Sequence, residues 1–224
     1  MELVRAIVAG DSERALRLVT ASPALVQARA VIGASRDASV QYFFEQIKHY
    51  LYAGDTALHM AAAGYKHTIA RALIEKGADC SAKNRRGAEA LHYASDSNTW
   101  NPIAQAATID CLIRGGANPN AIDKSGVAPL HRAVRTRCAA AVQALLLGGA
   151  EPRRANKSAS TPLHLAVQNT GRGGSGTPRA VDQQKQIILL LLQSGATLKD
   201  KDGHGRTVDQ VVATGWIREF LEAR

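Results

Sequence analysis

The chain is poor in aromatic residues, in cysteine, in acids and in long apolar runs, and each shortage narrows what it can be. Ten aromatic side chains serve 224 residues, and five of them, Tyr42, Phe43, Phe44, Tyr50 and Tyr52, crowd into one short stretch. A protein that stacks nucleic-acid bases needs aromatics interleaved with basic residues, and that pattern is missing. The three cysteines, Cys80, Cys111 and Cys138, form no CxxC pair and cannot all be bridged to one another, which suits a reducing compartment. The longest aliphatic run is Ile187 to Leu192, far short of the roughly 20 residues that span a bilayer. The first residues, Met1-Glu2-Leu3-Val4-Arg5, lack a secretion signal's apolar core. Together these shortages give the expectation of a cytosolic, soluble protein. Acids are outnumbered, 28 Lys and Arg against 19 Asp and Glu, for a formal charge of +9 that favours acidic partners. Apolar residues still make up 46% of the chain, enough to build a core.

What is present is a repeat. Thr56-Ala57-Leu58-His59-Met60-Ala61 is echoed by Glu89-Ala90-Leu91-His92-Tyr93-Ala94, by Ala128-Pro129-Leu130-His131-Arg132-Ala133 and by Thr161-Pro162-Leu163-His164-Leu165-Ala166, at steps of 33, 39 and 33. A second pattern keeps time with the first: Gly77-Ala78, Gly116-Ala117, Gly149-Ala150 and Gly195-Ala196. Two patterns sharing one period near 33 mean stacked units, each touching only its neighbours. Counted from the Thr position, Leu at 3 and Ala at 6 share one face of a first helix. Pro129 and Pro162 fit a first helical turn, and Thr56 and Thr161 fit N-caps. Paired aliphatics at positions 18 and 19 (Leu73-Ile74, Leu112-Ile113, Leu145-Leu146, Leu191-Leu192) mark the second helix, which the Gly ends. Leu146 is expected to be a central core residue.

These motifs resemble the ankyrin repeat, and the resemblance covers essentially the whole chain. It implies an all-α ankyrin-repeat solenoid of helix-turn-helix units with β-hairpin fingers, about six units including two caps. The expected layout is a single domain over 1–224: an N-terminal cap unit at 1–27, an aromatic-rich insertion at 28–54, four repeats at 55–204 and a C-terminal cap unit at 205–224. Both ends depart from the repeat pattern as caps do, which reads as a complete array.

Three insertions individualise the array. About 22 extra residues precede Thr56, six lie around Ser97 to Pro102, and thirteen lie around Gly171 to Thr177. The first holds the aromatic cluster, and Phe44, Ile47 and Leu51 have the spacing of a short amphipathic helix over 41–51. Its rings either pad the join between cap and second unit or form a partner platform. The third contains Gly171-Arg172-Gly173-Gly174-Ser175-Gly176, a GxGxxG match that follows a helix, not a strand, and reads as a linker. Thr177-Pro178 then opens a long helix reaching Gln193.

No set of residues points to catalysis. His59, His92, His131 and His164 recur once per unit, and helices stacked about 8–10 Å apart cannot bring them to one zinc at about 2.0–2.1 Å. No metal or cofactor is expected. The resemblance instead implies a structural histidine and partner recognition on a concave face lined by fingers and by positions 5 and 8 of the first helices. That places Met60, Tyr93, Arg132 and Arg135 in the groove and Lys83, Arg85, Arg86, Lys124, Arg153 and Arg154 on the fingers. The expected function is a non-catalytic scaffold, monomeric, binding a protein partner with an acidic surface. The alternative is a polyanion or nucleic acid held by the basic fingers.

Overall fold

The computed structural model describes every residue except Ser97, 169–175, Ala213 and Arg224. The glycine-rich GxGxxG stretch therefore lies, apart from Gly176, outside the described residues. Five helix pairs follow in order: α1 (Glu2–Ala9) and α2 (Ser12–Ala21), α3 (Ala57–Ala63) and α4 (His67–Glu75), α5 (Ala90–Ala94) and α6 (Pro102–Arg114), α7 (Pro129–Arg135) and α8 (Ala139–Leu147), α9 (Pro162–Ala166) and α10 (Pro178–Gln193). A single turn of 3₁₀ helix at Asp209–Val211 and α11 (Gly215–Glu222) close the array. First helices pack on first helices, α1 to α3 to α5 to α7 to α9, and second helices on second helices, so two layers of helices run the length of the molecule.

The repeated residues explain the repeated structure. Leu58, Leu91, Leu130 and Leu163 are buried between layers with Ala61, Ala94, Ala133 and Ala166. The alanines leave room for the neighbouring helix to approach. Each second helix from unit 2 onward ends in the same way. Gly77, Gly116, Gly149 and Gly195 take φ of 88 to 100°, and the N–H of the following alanine reaches back to the carbonyl of Leu73, Leu112, Leu145 or Leu191. That six-to-one bond satisfies a carbonyl the helix end would orphan, and only glycine takes the left-handed geometry without strain. The same leucines, at position 18, are fully buried, whereas Ile74, Ile113, Leu146 and Leu192 at position 19 are only half-buried. The central core residue of unit 4 is thus Leu145 and not Leu146, because one residue along a helix turns the side chain by about 100°.

Insertions redistribute helix within a unit. In units 3 and 5 the first helix is five residues long, and the second is lengthened to 13 and 16 residues. Asn101 and Thr177 cap the lengthened helices by accepting from the N–H groups of Ala104 and Ala180, and a proline follows each cap.

Residues 28–54 do not form the amphipathic helix their spacing suggests. Phe43–Phe44 (β1) and His49–Tyr50 (β2) pair antiparallel around a 3₁₀ turn at Glu45–Ile47, with Lys48 left-handed at φ 49°. The segment must leave the array and return to it, and a hairpin does so. Backbone bonds from Ala30 N–H to the Asp55 carbonyl, Gly54 N–H to Ala30 and Ala34 N–H to Leu51 close its base. Ile47 and Leu51 are buried where they meet the array, as their apolar character demands.

Candidate binding surface

The fingers and the groove rest on a ladder of hydrogen bonds linking one unit to the next. In each of His59, His92, His131 and His164, Nδ1 accepts from the cap N–H three residues earlier at 3.2 Å. Nε2 of each faces a carbonyl of the following unit: Ala88 at 3.0, Val127 at 3.1, Ser160 at 3.3 and Arg206 at 3.4 Å. That assigns the neutral tautomer with hydrogen on Nε2, and burial holds the His59, His92 and His131 pKa values below normal, to about 4 for His92. At the last unit Gln210 replaces the histidine, and its Oε1 still accepts from the cap N–H of Thr207 at 2.9 Å.

The finger tips repeat just as closely. Asn84, Asp123, Asn156 and Asp202 each turn one side-chain oxygen back to accept two backbone N–H groups, two and four residues on. Such side-chain-to-backbone turns fix a loop without a strand ladder. Among the described residues strand pairing is confined to β1 with β2 and one bridge between Lys201 and Thr207. Adjacent tips are tied by Arg85 N–H to Ala53, Lys124 N–H to Arg86 and Gly203 N–H to Ser158.

Three expected groove anchors are buried and belong to the frame. Met60 is fully buried and Tyr93 is 2% exposed. The Tyr93 hydroxyl donates to Asp55 at 3.0 Å and accepts from Asn84 Nδ2 at 2.8 Å, while Asn84 also donates to Asp55 at 2.8 Å. The His49 ring of the hairpin sits 4.4 Å from the Tyr93 ring, and His59 lies 5.3 Å away on another side. Burial and the Asp55 carboxylate raise the Tyr93 pKa strongly, so the phenol stays protonated and keeps donating. Arg132 is 8% exposed: Nη1 donates to Asp96 at 2.7 Å and Nη2 to Asp123 at 2.9 Å. It therefore clamps the end of α5 and the neighbouring finger onto unit 4. Burial opposes charge on both partners, but the carboxylates still raise the Arg132 pKa, and the bonds from Arg132 and nearby N–H groups lower that of Asp123. Position 5 looked open because sequence spacing cannot show what another segment lays over it.

A family model for ankyrin repeats in three copies matches residues 29–104 and 101–202. The chain belongs to the ankyrin-repeat family. No curated protein matches it. Ankyrin repeats generally mediate protein–protein interaction and are typically non-catalytic. In this array burial raises the thiol pKa of Cys80, to about 11, and those of Cys111 and Cys138, so none is poised as a thiolate. Among the described residues no three His, Cys, Asp or Glu side chains gather where a metal would sit, and no helix is long and apolar enough to cross a membrane.

The basic residues of the ankyrin fingers divide into those engaged within the array and those left open. Arg153 pairs with Asp200 at 2.7 Å, Arg154 with Glu151 at 3.3 Å, and Lys83 lies 3.8 Å from Glu89. Arg85 donates to the Ala34 carbonyl, and the guanidiniums of Arg85 and Arg86 lie 5.6 and 5.0 Å from the Tyr52 ring, so both dock the insertion. Lys124 and Arg135 are exposed and, among the described residues, have no carboxylate partner. Lys157 joins them, with its ammonium donating to the Lys124 carbonyl. Sequence reasoning left it out of the site, yet the signal was present: Arg85, Lys124 and Lys157 each follow the turn-forming Asn or Asp of successive fingers.

Proposed function

We propose that this ankyrin array is a non-catalytic scaffold that binds a partner protein through acidic surface, on the groove side of units 3 to 5. The observation that carries the reading is a set of exposed cations that among the described residues have no carboxylate partner, Lys124, Lys157 and Arg135, on adjoining fingers and the intervening first helix. Cations left unpaired on a rigid frame speed encounter with an anionic partner and require little ordering on binding. Three free cysteines fit a reducing cytoplasm, and a monomer suffices for this role.

The test compares the natural chain with the triple variant Arg135→Glu, Lys124→Glu, Lys157→Glu, using quantitative capture at low and high salt after nuclease treatment. A control variant, Arg71→Glu on the outer helix α4, keeps the groove intact. Proteins retained by the natural chain and the control, but released by the triple variant and by salt, support the reading. Equal capture by the triple variant and loss in the control would place binding on the convex side. Capture abolished by nuclease would favour a polyanion on the basic fingers.

A further inference from the structure

The insertions of units 3 and 5 flank unit 4, whose turn between α7 and α8 carries none. Between them lies a notch of about 330 Å³ lined by Trp100, Thr136, Arg137, Thr177, Arg179 and Gln183. No acid lines it. The notch is held in shape by groups already engaged: Thr136 Oγ1 donates to the Arg132 carbonyl at 2.9 Å, and Gln183 Oε1 accepts from Ala139 N–H at 2.9 Å.

Its two cations are not so engaged. Arg137 is half-buried, with φ of 57° in the left-handed region, a conformation costly for a side chain of this size. Its Nη1 lies against Gly176, where a Cβ would stand only 3.2 Å away, so glycine leaves that space to the guanidinium. Among the described residues the guanidinium has neither a carboxylate nor a hydrogen-bond acceptor, and burial lowers its pKa. Arg179 stacks with its Cζ 3.9 Å from the Trp100 ring centroid. Stacking fixes the guanidinium plane and leaves its N–H edge free to donate. A partly desolvated cation without a counter-charge is unfavourable, and a bound anion removes that cost.

We propose that this notch is an anion subsite that takes one carboxylate or phosphate group carried on a peptide segment of a partner protein. The half-buried Arg137 and the more exposed Arg179 both meet the anion. The volume is at the small end for ligand sites, enough for a side-chain group. A stacked nucleic-acid base is disfavoured because Arg179 already covers a face of Trp100. The subsite lies on the edge formed by the turns between first and second helices, away from the fingers, and stands whether or not the groove binds.

The test uses full-length protein labelled with ¹⁵N at its two tryptophan indoles, with Trp216→Phe assigning the Trp100 signal. Three capped tetrapeptides are titrated at fixed ionic strength: Gly-Glu-Glu-Gly, the same with phosphoserine for glutamate, and Gly-Gln-Gln-Gly. The expected result is a saturable shift of Trp100 with an anionic peptide and none with the glutamine peptide. The tighter of the two anionic peptides identifies carboxylate or phosphate as the group. Arg137→Gln and Arg179→Gln should each weaken binding by roughly ten- to hundredfold, the loss of one charge-assisted bond, while the Trp216 signal and the helical circular dichroism stay in place. The triple groove variant should still bind the peptides, which separates failure of this subsite from failure of the groove. Absence of a saturable shift with both anionic peptides, an undiminished shift in Arg137→Gln, or a Trp100 shift produced only by a single-stranded oligonucleotide would overturn the proposal.

Discussion

Replacing Arg132 with methionine should destabilise the protein by about 3–5 kcal/mol, the range for removing one partner of a buried charge pair. The Arg132 side chain is 9% exposed, and its guanidinium bridges two carboxylates, Asp96 at 20% and Asp123 at 8% side-chain exposure. Methionine fills most of the volume, so the loss measures charge and not a cavity. Without Arg132 the Asp123 carboxylate remains in a protein environment that disfavours its charge, and Asp96 adds repulsion. The wider consequence is local: the clamp joins units 3 and 4, where a stacked array has only nearest-neighbour contacts. Equilibrium urea unfolding followed by far-ultraviolet circular dichroism gives the difference directly. Arg135→Met, one residue position on the exposed side of the same helix, is the control and should change stability by no more than about 0.5 kcal/mol. A pH series adds a second check. In the natural chain Asp123 has a lowered pKa, so its stabilising pairing is present above the ordinary carboxylate pKa and is lost as pH falls through the lowered value. In the variant that pairing is gone, so the gap between the two proteins should narrow below about pH 4. An Arg132→Met cost no larger than that of Arg135→Met would refute the clamp. It would restore Arg132 as a free groove residue, which its position in the repeat suggests.

Two further outcomes follow from burial. Leu145→Ala should cost about 2–5 kcal/mol and Leu146→Ala clearly less, a ranking that denaturant midpoints of the two variants will check. The neutral state of His92 is favoured by folding, so its contribution is complete above about pH 6.5 and is lost as pH falls toward 4; the full loss is about 3 kcal/mol. His92→Gln keeps an acceptor and a donor but does not titrate, and should flatten the fall in stability across that window; an unchanged slope would show that the ladder histidine does not titrate there.

The parts of this fold legible in the sequence are those whose cause lies within a few residues. The Gly-Ala signature encodes a helix end because the glycine conformation and the alanine N–H act on the same turn. Leu at 3 and Ala at 6 encode a packing face because the helix repeats every 3.6 residues. The long helix capped by Thr177 and ending at Gln193 follows for the same reason. What sequence spacing misses is set by segments distant in the chain. Tyr93 occupies a groove position by count, but Asp55, Asn84 and His49 reach it from 38, 9 and 44 residues away by number. Arg132 is taken by Asp96 and Asp123 in the same way. The 41–51 stretch had helical spacing and became a hairpin because its ends must return to one point on the array, a constraint that no local pattern carries.

The exposure of the groove positions along the array has a direction. At position 5, Met60, Tyr93 and Arg132 are buried while Leu165 is half-exposed; at position 8, Ala63 is buried, Asp96 is half-exposed, and Arg135 and Gln168 are exposed. The closed end is the one over which the 28–54 hairpin folds, with His49 on Tyr93 and Tyr52 under Arg85 and Arg86. An insertion this large would be unfavourable to order if it stayed loose, but docking its rings against the array compensates for the lost chain entropy. The same docking covers Tyr93 of unit 3, and Arg135 of unit 4 and Gln168 of unit 5 are the positions of this set that stay exposed. On the groove reading proposed above, variants that disturb partner binding belong at Arg135, Leu165 and Gln168, near Lys124 and Lys157, which among the described residues have no carboxylate partner. Changes at Met60 and Tyr93 would act on stability, because those side chains are already spent on holding the hairpin and the first units together.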